Sequence, residues 1–217
     1  MIHILGVSGS PIKGGNTDTF LQKALAFAES SGDVSTQMVS LADKKISDCA
    51  HCNWCLTKQK EGKPCSQHDA MEDIYPLVLE ADALLLASPV YVARLSGYMA
   101  SFLDRLRVFA HGNHYKGRLT DKVGGALGVG WFRHGGLETT LLSIVYGFMT
   151  YEMIPVGTGL GCPWGAPAVA SRGGTGVFER DMRLGVLEDE FAQRSMELLV
   201  HRVIRVAKKV RSLDTKA

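Results

Sequence analysis

Charge of one sign is nearly balanced in this 217-residue chain: 24 Lys and Arg stand against 22 Asp and Glu, a net +2. That balance gives no hint of a nucleic-acid partner. The one basic run, KKVRSLDTKA at 208–217, trails an amphipathic stretch and reads as a solvated helix end. A membrane-length apolar run is also missing. The longest, Ala81 to Ala93, is broken by Asp82 and is too short to cross a bilayer. MIHILGVSGS enters an apolar run with no basic residues before it, so it does not read as a signal peptide. Repeats and low-complexity linkers are absent as well. The expectation is one cytoplasmic domain over 1–217 with no nucleic-acid and no membrane partner. Its 46% hydrophobic and 21% charged residues are ordinary for a globular core.

Three familiar nucleotide or nucleophile motifs are missing too. A Walker loop fails because Gly9 and Gly14 are followed by Gly15-Asn16, where Lys and a hydroxyl residue are required. G-x-G-x-x-G is absent. The nucleophile elbow fails because Gly6-Val7-Ser8-Gly9 runs into Ser10.

What is present is a regular alternation. Apolar runs at 3–7, 83–91, 122–130 and 153–158 read as buried strands, and the half-polar run 33–41 as an edge strand. Helical spacing appears over 17–30, 71–82, 137–149 and 186–211, and in Met99, Phe102, Leu103 and Leu106. Gly157 to Gly174 reads as a Gly/Pro-rich loop. The fold class predicted is α/β: a flavodoxin-like, doubly wound, five-stranded parallel sheet with helices on both faces. Ligands of such sheets sit beyond the carboxyl ends of the strands, where strand order reverses. The loops after Val7, Ala87 and Val129 should meet there.

The first of these, SGSPIKGGNT (8–17), joins a strand to a helix. A phosphate monoester needs many donors, and a helix start offers free N–H groups and a positive dipole end. Ser8, Ser10, Asn16 and Thr17 add side-chain donors, Pro11 stiffens the turn, and Gly15 allows close backbone approach. The plain alternative is an Asn-capped turn.

SGSPIKGGNT followed by SPVYVARLSGYMASFLDR (88–105) resembles the NAD(P)H-dependent FMN reductase family of flavodoxin-like proteins. The resemblance implies that Ser8, Ser10, Asn16 and Thr17 hold the FMN phosphate. It also implies that Pro89, Val90, Tyr91 and Val92 line the isoalloxazine ring. GVGWFRHGGLETT (128–140) is similar to the family's Gly-rich segment, with Gly130, Trp131, Gly135 and Gly136 as flavin-edge candidates. Arg133 is a candidate for a nicotinamide phosphate or for solvent, and His134 reads as a packed or capping residue. GTGLGCPWGAP (157–167) fits a loop over the flavin or a subunit contact. The family further implies NAD(P)H as a transient co-substrate and a small-molecule or ferredoxin-like redox partner. It implies a homodimer or homotetramer, and no side chain acting as acid, base or nucleophile.

Four of the five cysteines, Cys49, Cys52, Cys55 and Cys65, fall in CAHCNWCLTKQKEGKPC, within a loop spanning about 42–70. Three thiolates on C-x2-C-x2-C suit one face of a 4Fe-4S cluster, and the iron–sulfur flavoproteins of the same family open their motif in this way. The nine-residue spacer LTKQKEGKP before Cys65 must fold back to supply the fourth. Zinc, with His51 or His68 as further ligands, and a metal-free loop are the other two readings.

Overall fold

The computed structural model describes residues 1–159 and 161–214. Leu160 of the second glycine cluster and residues 215–217 of the basic run lie outside it. The elements in chain order are β1 (Ile2–Ser8), α1 (Asn16–Ser30), β2 (Val34–Ser40), α2 (Trp54–Thr57), α3 (Met71–Glu80), β3 (Ala83–Tyr91) and β4 (Arg94–Leu95). Next come α4 (Gly97–Arg105), α5 (Arg107–His111), β5 (Val123–Gly130), α6 (Leu137–Thr150), β6 (Ile154–Val156), β7 (Ala166–Val169) and α7 (Glu190–Asp214).

Strand order is β2-β1-β3-β5-β6, all parallel, so the order reverses between β1 and β3. Both faces are covered. One core packs Leu84, Leu86, Tyr75, Phe102, Phe109 and Phe148. The other packs Leu85, Phe20, Leu21, Leu199 and Val203. Alternate residues of one strand feed opposite cores, as the period of two requires. Gly124 and Gly125 of β5 leave room for helices: a Cβ on Gly124 would lie 2.6 Å from the Phe148 ring, and one on Gly125 would lie 2.7 Å from Leu85.

Two expectations need correcting. The stretch from Gly157 to Gly174 is not loop throughout: β7 lies inside it and pairs Leu127 to Gly130 with Ala166 to Val169. The fifth position of the sheet is therefore shared, with β6 on the first half of β5 and β7 on the second. Small residues and Pro167 masked this strand, because it has neither β-branched enrichment nor alternation. The last helix also begins later than 186. A short 3-10 turn occupies Gly185–Leu187, and Asp189 accepts the N–H of Ala192 at 3.0 Å at the helix start.

Candidate functional site

The loops after β1, β3 and β5 do meet. They line a cleft of about 320 Å³ beyond the carboxyl ends of those strands. Ser10, Gly15, Asn16, Thr17, Pro89, Val90, Tyr91, Gly130 and Trp131 line it.

Its floor is the start of α1. No side chain caps that helix, so the first-turn N–H groups and the positive dipole end face the cleft. Thr17 is 3% exposed and lines the cleft; among the described residues its hydroxyl has no hydrogen-bond partner. Gly14 adopts φ +65°, and a Cβ there would meet nothing within 4 Å. Asp18 fixes this turn: its Oδ2 accepts the Gly14 N–H and the Ser40 hydroxyl, each at 3.0 Å. Lys13 and Arg183 bring positive charge to the rim. Lys13 also pairs with Asp43, which raises its pKa. An uncapped helix start, an unpartnered hydroxyl and rim cations fit a phosphate monoester.

The upper wall is aromatic. Tyr91 and Trp131 are 42% and 37% exposed, so neither is a core residue. The Trp131 Nε1–H donates to the Gly176 carbonyl at 2.7 Å, and Phe178 stacks on the ring at 6.2 Å and 24°. Together they form a flat apolar face beside the strand ends, which suits a planar ring system.

Five predicted residues lie elsewhere. Ser8 is fully buried, and its Oγ accepts the Ser10 N–H at 3.4 Å beneath the turn. Pro11 lies in the turn but does not line the cleft. Val92 is 95% exposed at φ +50°, on the tip of the β3–β4 hairpin. Gly135 and Gly136 pack away from the cleft, and a Cβ on Gly136 would sit 2.4 Å from Ala93 Cα. The reason is shared: a loop that reaches a ligand with one or two residues must turn back with the rest. Asn16 lines the cleft, but its side chain is engaged. Its Oδ1 accepts the Val186 N–H at 3.0 Å, and its Nδ2 donates to the Arg183 carbonyl at 3.5 Å.

Arg133 and His134 line a separate pocket with Cys162 and Trp164. The 157–167 segment is therefore not the loop over the cleft; Ala170, Arg183 and Leu184 take that place. Nothing in the sequence marks Arg183, which lies 167 residues beyond Asn16 in a stretch with no periodicity.

The cysteine loop leaves the same end of the sheet. Its neck is closed by three bonds: Ala70 N–H to the Lys45 carbonyl at 3.2 Å, Ser47 N–H to Asp69 Oδ2 at 3.0 Å, and Gln67 Nε2 to the Asp48 carbonyl at 3.0 Å. Cys49 and Cys65 follow and precede these bonded residues in the chain, just inside the neck. The lobe between them is pinned by Gln59, only 6% exposed. It accepts from His114 and Tyr115 N–H and donates to the Pro64 and Val108 carbonyls.

All four thiols are free. Burial pushes the Cys55 thiol up; nearby Arg107 opposes this, while Cys49 and Cys65 add to it. Cys52 is held below its ordinary value by hydrogen bonds from Ser66 (3.4 Å) and the Trp54 backbone. Among the described residues, no three His, Cys, Asp or Glu side chains converge as ligands for a single metal ion. The donor set nonetheless suits a cluster in kind and in charge. The loop carries four free thiols, Arg105 donates to Cys65 Sγ at 3.7 Å, and among the described residues the buried Arg105 Nε–H has no partner.

The sequence profile of the NADPH-dependent FMN reductases matches residues 2–161. An iron–sulfur flavoprotein of Methanocaldococcus jannaschii is 38% identical over 81% of this chain and 83% of its own. Another from the same organism is 34% identical over 98% of this chain and 100% of its own. Among solved structures, a flavodoxin, WrbA-like protein from Agrobacterium tumefaciens superposes with a TM-score of 0.62 at 17% identity, over 96% of this chain and 99% of that one. Fold, sheet order, cleft position and sequence agree: the chain belongs to the NADPH-dependent FMN reductase family, with iron–sulfur flavoproteins among its full-length relatives.

Proposed function

We propose that the protein is an FMN-dependent oxidoreductase that passes electrons between a reduced donor, FMN and a 4Fe-4S cluster, with NAD(P)H or a ferredoxin as the donor. The observation that carries the flavin half is the cleft at the strand ends, with its uncapped helix start and unpartnered Thr17 hydroxyl. The first-turn N–H groups of α1, Thr17 and Ser10 hold the phosphate, and Lys13 and Arg183 balance its charge. Pro89 to Tyr91, Gly130 and Trp131 orient the ring and exclude water from its faces. Bound FMN supplies the hydride and single-electron chemistry, so no side chain has to act as acid, base or nucleophile. Cys49, Cys52, Cys55 and Cys65 hold the cluster. The hydrogen-bonded neck of the loop and the iron–sulfur flavoproteins among the relatives support that assignment.

A second reading is a cluster-free NAD(P)H-dependent FMN or quinone reductase. The lack of a three-ligand convergence among the described residues favours it. Anaerobic purification separates the two. Iron and acid-labile sulfide near four per flavin support the cluster, and near-zero iron leaves the second reading. Bleaching of the flavin by NAD(P)H then identifies the donor. Protein that retains no stoichiometric FMN overturns both.

A further inference from the structure

Charge is not spread evenly over this chain. Two segments far apart in sequence, 53–63 and 107–117, are bonded into one face. The Cys55 carbonyl accepts the Asn113 N–H at 3.0 Å, and Asn113 Oδ1 accepts the Gln59 N–H at 2.9 Å. The Tyr115 hydroxyl accepts the Gly62 N–H at 2.8 Å, and Arg107 Nη2 donates to Asn53 Oδ1 at 3.0 Å. Buried Gln59 adds its bonds to His114, Tyr115 and Val108. The face is therefore built before any partner arrives, which lowers the ordering cost of binding.

These two segments hold Lys58, Lys60, Lys63, Arg107 and Lys116 against a single carboxylate, Glu61. Their net +4 exceeds the +2 of the whole chain, so everything else is net −2. Elsewhere, Lys13, Arg105, Arg172, Lys208 and Arg211 are each met by a carboxylate. Among the described residues, none of the five cations on this face forms an ion pair. Arg107 bonds a neutral amide, and Lys63 lies 5.8 Å over the Trp54 ring. Lys58, Lys60 and Lys116 are exposed. The Lys63 N–H donates to the Lys60 carbonyl at 2.9 Å, closing a turn that keeps two of the cations together. Like charges held close repel one another and destabilise the fold.

An anionic partner offsets that repulsion. A long polyanion would also run over the net negative remainder of the surface, whereas a folded protein with clustered carboxylates meets the patch alone. Half-buried Trp54 and exposed Leu56 give such a protein apolar contacts among the cations. Small, charge-steered contacts are characteristic of transient electron-transfer encounters. The patch is also joined to the flavin cleft. The Ser96 hydroxyl, at the start of α4, donates to the Gly9 carbonyl at 2.6 Å, and α4 ends at Arg105, two residues before Arg107.

We propose that the face formed by 53–63 and 107–117 docks an acidic electron-carrier protein. This rests on the flavin half of the oxidoreductase reading and holds with or without a metal at the cysteines. The probes are an acidic 2Fe-2S ferredoxin and an acidic flavodoxin, each oxidised, dye-labelled and titrated with the FMN-loaded protein by fluorescence anisotropy. At least one binds at low salt, and its affinity falls as salt rises. Failure of both to bind at low salt overturns the proposal. Flavin per chain, read from the visible spectrum of the same samples, tests the oxidoreductase reading separately.

Two variants of equal net charge then locate the contact. Lys58→Glu/Lys60→Glu/Lys116→Glu reverses the patch. Lys23→Glu/Arg202→Glu/Arg205→Glu reverses three exposed cations on α1 and α7, which cover the other face of the sheet. The first should bind the carrier at least about tenfold more weakly, and the second should stay within about threefold of wild type. A first variant within about threefold of wild type, or equal losses in the two, overturns the proposal. Should the first variant not fold, carbodiimide cross-linking of the wild-type complex reads the contact. Links from carrier carboxylates to Lys58, Lys60 or Lys116 support it, and links confined to other lysines overturn it. Tighter binding of a single-stranded oligonucleotide or of anionic lipid vesicles than of either carrier also overturns it.

Discussion

The flavin cleft and the cysteine loop leave the same end of the sheet but are built by different means. The cleft is largely an outgrowth of the sheet: Pro89 to Tyr91 and Gly130 end β3 and β5, Trp131 follows β5 directly, and the turn from Ser10 to Thr17 joins β1 to α1, so the sheet register places most of the lining. The cysteine loop spans about thirty residues containing only one short helix. Its shape comes from side chains reaching across it: Gln59, Asp69 and Arg105. A site of the first kind depends on backbone and helix ends, and a site of the second kind depends on a few buried polar residues. Perturbing one should leave the other largely intact, and the following measurements test that separation.

The largest effect is expected at Arg105. Arg105→Met leaves Asp69 buried without its counter-charge, at a cost of about 3–5 kcal/mol. Urea unfolding should show that loss, and hydrogen exchange should place it over 45–70. Exchange spread evenly over α1 would break the distinction between the two sites.

Gly9→Ala acts at the other site. Its Cβ would lie 2.6 Å from Met99 Cβ and 3.0 Å from the Met99 backbone nitrogen, so α4 must move off the turn between β1 and α1. Overpacking of this kind costs about 1–3 kcal/mol. FMN affinity by fluorescence titration should fall, with iron content unchanged.

Thr17→Val removes one hydroxyl at nearly constant volume. Loss of one phosphate hydrogen bond costs about 0.5–1.5 kcal/mol, up to about tenfold in FMN dissociation constant. An unchanged constant would take Thr17 out of the phosphate site.

Acidification has the smallest effect at neutral pH. Burial alone would raise the Asp69 carboxyl, but hydrogen bonds from Arg105 and from the Ser47 and Met71 N–H groups outweigh it, so its pKa lies below the ordinary value. A depressed carboxyl stabilises the folded state above its unfolded value, near pH 4, and that contribution is lost as pH falls through the lower folded value. Amide exchange in the cysteine loop should accelerate below about pH 4 before that in α1 does. Simultaneous acceleration would argue against a separately held loop.

How far the sequence could be read follows the same division. The strands of the sheet, the three loops at its carboxyl end and most cleft residues were legible, because apolar periodicity and turn chemistry are local signals. β7 was not legible, since its small residues pair only because β5 offers an open half-edge. Asn16, expected to hold a phosphate, lines the cleft, and its side chain bonds residues 183 and 186. Asp18 and Arg183 carried no signal, as each matters only through residues distant in the chain. The spacer's length was visible in the sequence, and the hydrogen-bonded neck of its loop was not.

The sequence by itself determined the alternating fold, the glycine- and serine-rich turn between β1 and α1 and the presence of four cysteines close in the chain, because each is written in neighbouring residues. Only the tertiary structure decided which loop covers the cleft, which residues turn away from it, and that Cys65 bonds to Arg105 at the neck of its loop. Those outcomes depend on contacts such as Arg105 with Asp69 and Cys65, 36 and 40 residues apart. Such contacts form only once burial makes an unpaired charge or carbonyl too costly to leave.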